Sequence, residues 1–146
     1  MDIILWRHAE AEDGLADMSR ELTVKGQKQA QTIAIFLRRH LPADTRILVS
    51  PAIRTQQTAS ALTADFTTVP AIAPGASAHA VLQAVRWPNA GGTVLVVGHQ
   101  PTLGAVAAQL LGSGSESLRI KKSGLWWLNH RPNETTLRLV ITPDFL

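Results

Sequence analysis

Thr93-Val94-Leu95-Val96-Val97-Gly98-His99-Gln100-Pro101 is the stretch on which the fold turns. Thr93 to Val97 is β-branched and apolar on both faces, the pattern of a central strand in a parallel sheet. Gly98, His99 and Gln100 then form a turn, and Pro101 opens a helix that runs to Leu111 and closes at Gly112. A strand buried on both faces needs helices above and below it, so further strand and helix units are expected on either side. Upstream, Ile3 to Trp6 is a short apolar run ending abruptly at Arg7-His8. Ala30, Ile33, Ala34, Leu37 and Leu41 recur at helical spacing, with Thr23 as N-cap and Pro42 as the stop. Arg46 to Val49 reads as a second strand, and Ser50-Pro51 as an N-cap followed by proline in the first helical position, which puts Arg54 about one turn into a helix. Thr67 to Ile72 holds room for a short strand, and Ser77 to Trp87 fits a helix capped by Ser77 and ended by Pro88. Downstream, Leu118 to Ile120, Leu125 to Leu128 and Leu137 to Ile141 read as strands, the last two joined as a hairpin through Arg131 to Glu134. The sum is a three-layer α/β/α fold, with a mostly parallel central sheet and antiparallel C-terminal strands.

At 146 residues the chain fits a single domain, 1–146. Hydrophobic residues at 45% and charged residues at 17% exclude a disordered tail or a fibre. Thr55 to Val85 carries no charge except Asp65, yet it is rich in Thr, Gln, Ser and Pro and does not suit a bilayer. The N-terminus has an acid where an export signal would be basic, so a cytoplasmic location is expected. With no cysteine, disulfides, thiolate metal sites and a thiol nucleophile are excluded. The net charge of +3 is scattered: only Arg38-Arg39 and Lys121-Lys122 are adjacent, and no aromatic residue interleaves with them, so neither nucleic acid nor membrane is an expected partner.

Three polar insertions share one context. Arg7-His8 follows the first strand, Arg54 the second, and His99 the central one, at intervals of 46 and 45 residues. In open α/β sheets, ligands sit beyond the carboxyl ends of the strands, where helix N-termini favour anions. Two guanidinium groups and two imidazoles meeting there would suit a compact, multiply charged anion such as a phosphoryl group. A lone arginine beside a strand is ordinarily a surface ion pair and a lone histidine a structural residue; recurrence at three strand ends is what favours the functional reading. His40, at a helix C-terminus, and His130, placed in a turn, are read as structural. Nucleotide, zinc and serine-hydrolase motifs are absent, and His8-Ala9-Glu10 lacks the cysteines of a zinc deaminase. Trp126 and Trp127, adjacent in a strand, must face opposite ways, so one belongs to the core.

LWRHAEAE (Leu5 to Glu12) resembles the Arg-His-Gly/Ala signature of the histidine phosphatase superfamily. DMSRELTVKGQKQA (Asp17 to Ala30), VSPAIRTQQTA (Val49 to Ala59) and VLVVGHQPTLG (Val94 to Gly104) resemble its later blocks in order. Short length, Ala9 and the Arg20 to Gly26 block look most like the compact SixA-type phosphohistidine phosphatases. The resemblance implies that His8 is the nucleophile, with Arg7, Arg54 and His99 around the equatorial oxygens of the phosphoryl group and Arg20 near the mouth. It implies phosphate chemistry without metal or cofactor. A neutral imidazole beside two guanidinium groups resists protonation and keeps its lone pair. Many relatives that cleave phosphate esters carry a carboxylic acid between the second arginine and the second histidine, whereas no Asp or Glu lies between Asp65 and Glu116 here. Asp65, at the end of the second helix or in the loop after it, is not expected to reach the site. An imidazole leaving group needs less protonation than an alkoxide, so the expected substrate is phosphohistidine on a partner such as a histidine phosphotransfer domain, with His79 as candidate proton donor. A small-molecule phosphate-ester phosphatase and a non-catalytic phosphate-binding module are the alternatives.

Overall fold

A computed structural model describes residues 1–146. Six strands, β1 (Asp2–Arg7), β2 (Arg46–Val49), β3 (Thr67–Thr68), β4 (Thr93–Gly98), β5 (Leu125–Arg131) and β6 (Glu134–Ile141), form one sheet in the order β3-β2-β4-β1-β5-β6. Pairings among β1 to β4 are parallel, while β5 and β6 run antiparallel. Four helices complete the fold: α1 (Val24–His40), α2 (Ile53–Ser60), α3 (Ala78–Val85) and α4 (Thr102–Leu110). No helix is long and apolar enough to cross a membrane.

Alternation along each strand divides the core in two. Ile4 and Trp6 of β1 with Leu95 and Val97 of β4 pack against Ile33, Ala34 and Leu37 of α1 and Ala59 of α2. Ile3 and Leu5 with Val94 and Val96 pack against Val81, Leu82 and Val85 of α3 and Leu103, Val106 and Ala107 of α4. This is the three-layer arrangement expected of a strand apolar on both faces, and all six residues of β4 are buried. Trp126 and Trp127 fall on opposite faces, Trp127 within one cluster and Trp126 at the margin of the other.

Helix starts follow the expected caps, with Thr23 accepting from Gly26 N and Ser77 from Ala80 N. Four expectations need correction. Helix α2 begins at Ile53, because Ala52 is still extended, and Ser50 accepts from Ala52 N outside the helix at 3.3 Å. Helix α3 ends at Val85, where Arg86 turns left-handed at φ 57°. His130 lies within β5, not in a turn, since the strand continues to Arg131. Leu118 to Ile120 is no strand: Leu118 bonds Gly104 and Gln100, and Ile120 bonds the Arg7 side chain, so this backbone is committed elsewhere.

Candidate active site

Register brings three strand ends level. Arg7 stands opposite Gly98 and Val49 opposite Val97, so His8, Ser50 and His99 leave the sheet at the same edge. The backbone holds them there, His8 N donating to Gly98 O at 3.0 Å and Ser50 N to Val97 O at 3.1 Å. The two imidazoles come within 5.4 Å between ring centroids, tilted by 53°.

His8 Nδ1 lies 2.7 Å from Ala9 O. A carbonyl only accepts, so the neutral ring carries its proton on Nδ1 and its lone pair on Nε2. Burial pushes the His8 pKa down to about 4, with the charges of Arg54, Arg7 and Arg20 adding to it and the Ala9 bond opposing. His99 is pushed down to about 3, by burial first and then by His8 and Arg54. Its Nε2 meets Ser50 Oγ at 2.7 Å, while its buried Nδ1 has no partner.

Arg7 and Arg54 are each tied at one end and open at another. Arg7 Nη1 donates to Ile120 O at 2.9 Å, and Arg54 Nη1 donates to Asp17 O at 2.7 Å. The Nε groups of both are buried without a partner. Buried polar groups are ordinarily satisfied, so these three nitrogens, one in the imidazole pair and two on the arginines whose charges act on it, are the groups with hydrogen-bonding capacity to offer an oxyanion. Arg20 is farther out, donating through Nε to Glu12 O and through Nη1 to Asp17, yet its charge is felt at His8. His79 is exposed on the first turn of α3 and Asp65 lies in the loop after α2; neither hydrogen-bonds to the pair. No three His, Asp or Glu side chains converge as metal ligands.

Four features of the site escaped the sequence reading. Asp17 bridges Arg54 and Arg20 at 3.2 and 3.0 Å, and the Arg20 and Arg54 bonds hold its carboxyl below the usual range. Ser50 steers His99. Thr58, one turn beyond Arg54 on α2, accepts from Ala9 N at 3.1 Å and so pins the residue after His8. The irregular segment 118–124 straps the end of β1, with Arg7 N donating to Gly124 O and Ser123 N to His8 O. Only Asp17 left a trace in the sequence, its spacing of three residues from Arg20.

Residues 3–75 match the family model of the histidine phosphatase superfamily, branch 1. A phosphohistidine phosphatase SixA homolog from Haemophilus influenzae is 35% identical over 128 residues, covering 77% of this chain and 78% of that protein. The protein histidine phosphatase SixA, solved with tungstate, superposes with a TM-score of 0.83 at 22% identity, covering 99% of both chains. A phosphoserine phosphatase from Entamoeba histolytica, solved with phosphoserine, shares the fold at a TM-score of 0.77 and 16% identity, over 99% of this chain and 98% of that one. With strand order, imidazole pair and family match in agreement, the chain belongs to the histidine phosphatase superfamily and is, at the level of that family, a phosphatase.

Proposed function

We propose that this phosphatase acts on phosphohistidine carried by a partner protein in the cytoplasm, through a phosphorylated His8. The observation that carries the reading is the imidazole pair, in which His8 Nδ1 is spoken for by Ala9 O and Nε2 is left as the attacking atom. His8 Nε2 forms a bond to phosphorus while the bond from phosphorus to the substrate imidazole breaks; that imidazole leaves with its electron pair and takes up a proton. Water then attacks the phosphorus of phosphorylated His8, giving inorganic phosphate and the neutral imidazole. Arg7, Arg54 and the free Nδ1 of His99 are the groups available to the equatorial oxygens, where fixed donors stabilise the spreading charge without reorganising. Asp17, a carboxylate whose charge acts on His99, is occupied by two arginines and held ionised, which makes it a poor proton donor to an alkoxide. That favours a substrate whose leaving group is imidazole. The Haemophilus relative's description agrees. The second reading, a small phosphate ester as substrate, is favoured only by the shared fold of the phosphoserine phosphatase.

The test pairs a phosphorylated histidine phosphotransfer domain with phosphoserine and p-nitrophenyl phosphate. Faster turnover of the phosphodomain, together with acid-labile, alkali-stable phosphate on His8, is expected; preference for the esters would give the second reading the site. His8→Ala should lower kcat on the order of 10⁴-fold or more with the fold retained. Binding of phosphohistidine without any turnover would mark a shielding module instead of an enzyme.

A further inference from the structure

The charge that looks scattered along the sequence is gathered in space. An open cleft of about 680 Å³ lies between the first half of α1, the strap 118–124 and the C-terminal turn. Lys25 and Lys28 of α1 face Arg119, Lys121 and Lys122 of the strap across it, and Arg7 stands on its wall. Two acids, Glu10 and Asp144, also line it. Six bases against two acids leave a local excess of four positive charges on a chain whose net charge is +3. Only Lys122 has a carboxylate within ion-pair distance, Glu10 at 3.8 Å, so the other five cations stand without one. Like charges crowded this way repel one another and gain when an anionic surface arrives. Arg7 is common to this cleft and to the imidazole pair, since its charge is among those acting on His8.

We infer that this cleft is the docking surface for the substrate protein, and that it takes an acidic face of that protein adjoining the phosphohistidine. This rests on the phosphohistidine reading above. The lining contains no aromatic side chain for a base or sugar to stack on. Its cations are spread over three separate segments, a breadth that fits a row of carboxylates better than one small anion. Complementary charge of this kind speeds encounter and selects partners more than it adds affinity at the reacting atoms.

The experiment compares wild type with a Lys25→Glu, Lys28→Glu, Lys121→Glu variant, none of which touches the imidazole pair. Substrates are a phosphorylated histidine phosphotransfer domain of net negative charge and free phosphohistidine. The expected result is a drop in kcat/KM of roughly tenfold to a hundredfold on the phosphodomain, mainly through KM, with the salt dependence of the wild type flattened. Turnover of free phosphohistidine stays unchanged and certifies the fold. Equal change, or none, on the two substrates overturns the inference. So does a variant that keeps full activity on the phosphodomain while losing affinity for a duplex oligonucleotide, which would assign the cleft to nucleic acid. Wild type that hydrolyses phosphate esters alone would remove the phosphohistidine reading itself, before any lysine is changed.

Discussion

His8 and His99 are two imidazoles kept uncharged in a cationic neighbourhood, and that has a measurable cost in acid. A free imidazole titrates near ~6.5, whereas His8 in the fold titrates at about 4. Between those values the unfolded chain binds more protons, so stability is complete above the upper value and falls as pH drops through the window. For His8 alone the change is about 3 kcal/mol. Thermal unfolding measured from pH 7 to 4 should therefore show a steep loss in the wild type and a shallower one in His8→Ala; parallel curves would mean that His8 is protonated in the fold. At this scale the sequence was informative where chemistry repeats. Arg7, His8, Arg54 and His99 each interrupt an apolar pattern at a strand end, so they stood out. Ser50 and Thr58 did not, because a serine after a strand or a threonine in a helix is common, and only the fold aims Ser50 Oγ at His99 Nε2. The ionic partner of Arg54 was hidden for another reason, since Asp17 lies 37 residues away in the chain.

Among the elements, the strap 118–124 is the one that periodicity misread. Leu118 and Ile120 alternate with polar neighbours as a strand would, and Ile120 is fully buried, but their backbone groups are claimed by α4 and by the end of β1. Hydrogen-bond destination, which no pattern of side chains encodes, decided the matter. Helix α4 and the strap approach so closely that a Cβ on Gly104 would lie 1.8 Å from Leu118 O. Gly104→Ala must push the strap outward, costing about 1 to 3 kcal/mol, and should lower kcat as well because Arg7 is tied to Ile120 O. Gly114→Ala, in open space, is the matched control. Melting temperature and kcat measured on both variants check this; equal behaviour of the two would show that the strap yields freely. Elsewhere the elements were legible to within a few residues, because caps and stops such as Thr23, Pro42 and Ser77 act locally.

For the molecule as a whole, the site exists only when distant segments meet. Arg7 ends β1, Arg54 lies in the first turn of α2 after β2, and His99 follows β4; β1 and β2 are neighbours through β4, a pairing that parallel register sets and no local signal carries. An oxyanion held by all of them binds the native state and not the unfolded chain, so phosphate or tungstate should stabilise every element at once. At 100 times the dissociation constant the gain is about 2.7 kcal/mol, a rise in Tm of roughly 5 to 10 °C in a single transition. Arg54→Ala should lose most of that rise, and a variant that keeps it would place the anion elsewhere. The fold class was readable because most strands and helices announce themselves; the strand order and the concentration of charge beside the site were not, since Lys25 and Lys121 are distant in the chain and share a cleft only in the fold.

The strap also bears on how such a protein can diversify. Its ties to the end of β1 lie at Ile120, Ser123 and Gly124, whereas 112–116 joins it to α4 as an exposed stretch on which no strand depends. Extra residues accepted there would leave those ties, and with them the setting of His8, unchanged, so the turn after α4 can lengthen without the scaffold being rebuilt.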